Sequence, residues 1–243
     1  MRKLIAVALF VAASAASLQA ELRYTLRMQL KPSTVPAAAP DPNLAAIGGL
    51  VMEMIVPGGS SEITVITGER GTRIEANKGL IGMPKGGVML QRPDGSIVGI
   101  DHASKTYWKS GVPDMAGIQA TSKRTGEVST MAGEKVERVT FRIELPLGEA
   151  MKSISPIVIE GDAWVAERFK KYTVVKGVKP GALGLFQLAD LGLSLRQIMR
   201  SRMFGDKEIE SVATDVREDP APASLFEIPA GYKEVPGPGK IGR

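Results

Sequence analysis

Val88-Met89-Leu90-Gln91-Arg92-Pro93-Asp94-Gly95-Ser96-Ile97-Val98-Gly99-Ile100-Asp101-His102-Ala103-Ser104-Lys105-Thr106-Tyr107-Trp108 is the stretch whose reading decides the fold. Three short runs of strand-forming residues are separated by Pro93-Asp94-Gly95 and by Asp101-His102-Ala103, both turn signals. The spacing predicts a β-meander, the unit from which antiparallel sheets are built.

The chain on either side reads the same way. Leu22, Tyr24, Leu26, Met28 and Leu30 alternate with Glu21, Arg23, Thr25, Arg27 and Gln29, which predicts a strand that is dry on one face and wet on the other. Glu62–Thr67 and Thr72–Ala76 form a hairpin around Gly68-Glu69-Arg70-Gly71. A second hairpin is expected around Gly126, from Gly117–Thr125 and Glu127–Met131. Val136–Leu145 alternates cleanly, Ile157–Val165 and Ile209–Val216 are further strands, and Leu225–Tyr232 reads as an apolar clip on the core.

Two segments carry helical spacing instead. Leu44, Ile47, Val51, Met54 and Ile55 line one face of a segment opened by Asp41-Pro42 and stopped by Pro57-Gly58-Gly59. It is either a core helix or, given Gly48, Gly49, Met52 and Met54, a mobile lid over an apolar cavity. Between Pro180 and Gly205, an apolar stripe from Leu183 to Met203 predicts a helix split at Gly192. Ser194 then caps its basic half, which carries Arg196, Arg200 and Arg202. That half either presents a solvated face or touches an anionic membrane surface transiently. Leu147–Ser153 is a further short helix, Glu167–Lys171 a charged turn or short helix and Tyr172–Val175 an extended run. The expected class is α+β: a curled antiparallel sheet, an open half-barrel of roughly nine or ten strands, with helices covering its concave face. One wet face excludes a parallel α/β core.

Composition narrows the chemistry. The formal charge of +5 is mild, and no basic run is interleaved with aromatics, so nucleic acid is not an expected partner. Cysteine is absent, which excludes thiolate catalysis, zinc–cysteine clusters and the lipid anchor that exported bacterial proteins carry on an N-terminal cysteine. With His102 the single histidine, a Ser-His-Asp relay would have to use it beside Asp101 and Ser104, and these read better as a hairpin corner. Gly82-Met83-Pro84-Lys85-Gly86-Gly87 has its lysine before the glycines and a strand after them, so it is not a phosphate loop. No cofactor motif is visible, and the chain is not expected to be an enzyme.

Residues 1–20 have the three-part pattern of a secretory leader: Arg2-Lys3, an apolar run from Leu4 to Ala13, and small residues ending at Ala20. Cleavage after Ala20 fits best, with Ala16 or Ser17 as alternatives. Residues 21–235 then form one domain, and 236–243, rich in glycine and proline, a disordered tail. The mature protein is expected in the periplasm or outside the cell, soluble and without a lipid anchor.

Several stretches carry a resemblance: Ile63–Ala76, Asp101-His102 with Lys105-Thr106-Tyr107, Met131–Arg138, Gly161-Asp162-Ala163-Trp164 and Leu225–Tyr232. With the order of elements, they resemble an uncharacterised family of exported bacterial proteins. Its expected shape is similar to the lipoprotein carriers and receptors of the LolA/LolB type, open half-barrels that shield acyl chains. The resemblance implies no catalytic residues. Three readings follow. In the first, a non-catalytic binding module holds a lipid or other hydrophobic small molecule in a cavity lined by Leu26, Met28, Met52, Val65, Met89, Tyr107 and Trp164. The 11 methionines, against six phenylalanines, suit a surface that adapts to apolar partners. Trp164 fits either such a wall or the core. In the second, the same fold has a filled core and docks an envelope protein through an exposed apolar patch. The third is a hydrolase built on His102.

Overall fold

A computed structural model of the chain describes residues 20–35, 48–49, 52–53, 56–76, 86–111, 118–145, 156–173 and 191–237. Its first strand, β1 (Ala20–Pro32), lies near the middle of a 12-stranded sheet. On one side follow β2 (Ser60–Gly68), β3 (Gly71–Ala76), β4 (Val88–Gln91), β5 (Ile97–Asp101), β6 (Thr106–Ser110) and the short β12 (Lys233–Glu234). On the other follow β11 (Lys207–Pro220), β10 (Leu193–Arg200), β9 (Ile157–Ala166), β8 (Glu134–Leu145) and β7 (Gln119–Met131). Every pairing is antiparallel except that of β12 with β6. Among the described residues β12 and β7 are open edges, and an open sheet of this size must coil under the native strand twist.

The alternation in β1 explains its place. Leu22 and Met28 are buried, with Tyr24, Leu26 and Leu30 half-buried, while Arg23, Arg27 and Gln29 are exposed. Opposed residues of paired strands share a face, so the dry side propagates across the ladder as Met89–Ile74–Val65–Tyr24 in one arm. In the other arm it runs Leu30–Ile209–Met199–Gly161–Phe141. One apolar cluster joins residues of both arms, from Ile63, Val65 and Ala76 to Phe141, Ile143 and Ala163.

The meander and the hairpin of β2 and β3 stand as their sequences predict. The class does not. The described residues are mainly strand, with a four-residue α-helix at Lys170–Thr173, and no helix covering the concave face is shown among them. The fold is therefore all-β rather than α+β.

The sharpest correction is the basic helix. Leu193–Arg200 is strand β10, with Leu193, Leu195, Gln197 and Met199 buried. Its apolar residues satisfy a helical stripe and a strict alternation at once. The ladders offered by β9 and β11 decide for the strand. Gly192, at φ 130°, starts it, and an added Cβ there would stand 2.4 Å from the Ala166 carbonyl oxygen. Ser194 is thus a strand residue and caps nothing.

Gly126, at φ 80°, is likewise no hairpin turn. It lies in a bulge of β7, where the register steps from Arg124↔Val139 to Val128↔Glu137, and Thr125 Oγ1 closes the distortion by donating to the Arg138 carbonyl at 3.0 Å. The actual turn is Ala132-Gly133, both at positive φ. Tyr172 and Thr173 are helical rather than extended.

Of the Leu44–Val56 segment, Gly48, Gly49, Met52 and Glu53 are helical and Met52 and Val56 pack on the apolar cluster; its other residues through Ile55 lie outside the described set. The expected leader (apart from Ala20), the helix at Leu147–Ser153, the stripe from Leu183 to Asp190 and the tail beyond Gly237 also lie outside it.

Candidate functional site: the apolar face of the sheet

The two faces of the sheet differ in chemistry. On the apolar face, Ile63–Leu26–Ala213 and Met89–Ile74–Val65–Tyr24 are rows of directly opposed side chains. Tyr24, Leu26, Leu30, Met52, Ile74, Met89 and Ile159 pack against the buried cluster yet keep accessible surface. Burial pushes the Tyr24 phenol well above its ordinary pKa.

Glycines keep the floor of this face low. Gly99 opposes Trp108, whose indole lies where a Cβ at position 99 would stand, 2.2 Å from its Cε2. Gly161 opposes Phe141, whose ring edge would be 3.1 Å from an added Cβ. Both rings lie down on the sheet because nothing projects beneath them.

One row is different. Ser61–Met28–Ser211–Gln197–Ala163 crosses five strands, and its polar members are all buried. Ser61 Oγ and Gln197 Nε2 have no hydrogen-bond partner among the described residues.

The opposite face is ion-paired. Asp162 accepts from Arg138 and Arg200, Arg200 also donates to Glu208, and Glu210 joins Arg196 and Lys31. Hydrogen bonds from Lys31 and Arg196 hold the Glu210 carboxyl below the usual range against its partial burial. Arg196 and Arg200, read from the sequence as part of a solvated face or a transient membrane contact, are thus engaged with carboxylates of neighbouring strands, while Arg202 is exposed in the turn Arg202–Phe204.

Of the lining residues read from sequence, Leu26, Met28, Val65 and Met89 share the apolar face, and Met52 packs on the same cluster. Trp164 and Tyr107 lie elsewhere. Trp164 is on the charged face between Arg138 and Arg196, whose guanidinium carbons stand 5.9 and 4.8 Å from its ring centre. Tyr107 lies beneath the C-terminal clip with Ile228 and Tyr232, and its hydroxyl donates to Glu234 at 2.9 Å. The aromatic that does stand over the apolar face in this arm is its neighbour Trp108. A strand residue opposite a glycine was the available signal. Gln197 was hidden by the helical reading of its segment.

The corner Asp101-His102-Ser104 holds no proton relay. The Asp101 carboxylate accepts from Ala103 N, Ser104 N and Ser104 Oγ, and the Ser104 hydroxyl bond keeps its pKa low. His102 Nδ1 instead contacts the Tyr232 hydroxyl at 2.8 Å, tying the clip to the meander. No group of metal-ligating side chains occurs among the described residues, and no helix among them is long and apolar enough to cross a membrane.

No family model and no curated protein matches the chain. Among solved structures, it is similar to a LolA superfamily protein of Nitrosomonas europaea at 6% identity, with a TM-score of 0.35, over 86% of this chain and 90% of the other. It is also similar to the lipoprotein LppX of Mycobacterium tuberculosis at 10% identity, with a TM-score of 0.27, over 80% and 85%.

Proposed function

We propose that this chain is an exported, non-catalytic binding protein that shelters an acyl chain or similar apolar ligand on the concave face of its sheet. The observation that carries the reading is the set Tyr24, Leu26, Leu30, Met52, Ile74 and Met89, which packs on the core and keeps accessible surface. An apolar face left partly open on this scale favours an apolar occupant. Export is supported by the leader pattern of residues 1–20.

Burial of each methylene stabilises by about 0.8 kcal/mol, close to a fourfold gain in affinity. The test displaces a fluorescent apolar probe from the mature protein with saturated monoacyl ligands of increasing length. Affinity should rise about fourfold per added methylene until the face is filled, and Val65→Asp should abolish it. Equal affinity at every length, or no displacement at all, contradicts a ligand-binding face and favours a filled core that docks another protein.

A further inference from the structure

Within the apolar face, the row Ser61–Met28–Ser211–Gln197–Ala163 is out of character. Ser61 and Gln197 are more than nine-tenths buried, and Ser61 Oγ and Gln197 Nε2 have no partner among the described residues. Leaving a buried donor unmade is costly, and buried polar groups in native proteins are nearly always satisfied. Gln197 occupies a strand position between Leu195 and Met199, both buried apolar residues, where leucine would fit the pattern without that cost.

The row is also uncharged. The cations of β10, Arg196 and Arg200, lie on the opposite face and are bound there by Glu210, Glu208 and Asp162. A carboxylate or phosphate would therefore meet no counter-charge in this row and would be desolvated without compensation. A neutral carbonyl suits the two donors, because it accepts hydrogen bonds and carries no charge to bury.

We propose that Gln197 Nε2 and Ser61 Oγ form the polar subsite of the apolar face and select ligands bearing an acyl ester over plain hydrocarbon or ether. This rests on the carrier reading above and adds the chemical class of the ligand. The ester carbonyl lies at the row, accepts from one of the two donors, which stand three strand spacings apart, and sets the register of the acyl chain along the sheet.

The experiment compares methyl hexadecanoate with an alkyl ether of matched length, each displacing the same apolar probe. The proteins are the wild-type mature chain, Gln197→Leu, the closer-volume Gln197→Met, and Ser61→Ala. The wild type should prefer the ester by about tenfold. Each variant should reduce that preference, and Gln197→Leu with Ser61→Ala should bring it close to unity. The variants should unfold at or above the wild-type temperature, since each removes an unsatisfied buried group. Equal wild-type affinity for ester and ether overturns the polar subsite and leaves the carrier reading intact. So does an ester preference that survives the double variant. Binding of neither compound by the wild type overturns both.

Discussion

Replacing Asp162 by alanine removes the hub of the charged face. Its carboxylate accepts from Arg138 Nε and Nη2 at 2.9 and 2.8 Å and from Arg200 Nη1 at 3.0 Å. The carboxylate is 12% exposed, Arg200 22% and Arg138 37%. The Arg138 pair is open enough to be screened, and Arg138 keeps Glu127 at 3.0 Å, so its loss costs under about 1 kcal/mol. The Arg200 bond is better shielded, in the range of about 1.5–3 kcal/mol, but Arg200 retains Glu208, which favours the lower end. Together Asp162→Ala should cost about 2 kcal/mol at pH 7, and Asp162→Asn, which keeps an acceptor, about 1 kcal/mol. Burial raises the Asp162 pKa, but the hydrogen bonds from Arg200 and Arg138 outweigh it and hold the carboxyl below its ordinary value. A depressed folded pKa contributes stability above the unfolded value, about 3.9, that is lost as pH falls through the folded value. The gap between wild type and Asp162→Ala should therefore be full at pH 7 and close towards pH 2. Urea unfolding across that range measures it. A gap below about 0.5 kcal/mol at pH 7, or one that persists unchanged in acid, refutes the ion-pair reasoning.

Two further substitutions probe the packing. Gly161→Ala places a Cβ 1.8 Å from the Ile198 carbonyl oxygen, a backbone atom that cannot rotate away, and should cost about 3 kcal/mol in thermal or urea unfolding; a neutral result would mean that β9 and β10 are further apart than described. Glu21 is fully buried with both carboxylate oxygens unpartnered among the described residues, and burial raises its pKa against a partial offset from Arg70. A raised carboxyl pKa leaves stability intact below the unfolded value, about 4.3, and lost as pH rises through the folded value. Glu21→Gln should therefore raise the unfolding temperature at pH 7 and leave it unchanged near pH 3, and equal temperatures at both would refute the burial.

The meander was legible because β4, β5 and β6 are short and punctuated by Asp-Gly and by the Asp101 corner, whose hydrogen bonds are local. The alternation of β1 was legible for the opposite reason: the strand is long, and its ladders to β2 and β11 leave one side wet. Tertiary pairing decides what local pattern cannot. Leu193–Arg200 fits two periods, and the ladder partners that select between them lie elsewhere in the chain. Gly126 satisfies a turn and a bulge equally, and only the length of β8 beside it makes it a bulge. The apolar face was legible at Leu26, Met28, Val65 and Met89. It failed by one residue at Tyr107, since a shift of one in a strand exchanges the faces and puts Trp108 in its place. Ser61 and Gln197 gave no signal in the sequence, because an unsatisfied donor becomes visible only when its neighbours are placed.

Native mass spectrometry of the mature protein purified from a periplasm, followed by organic extraction, tests the central claim most directly. The account predicts a defined apolar adduct carrying an acyl chain, absent from Val65→Asp protein that remains folded. A clean apo mass that persists after incubation with excess acyl lipid contradicts it.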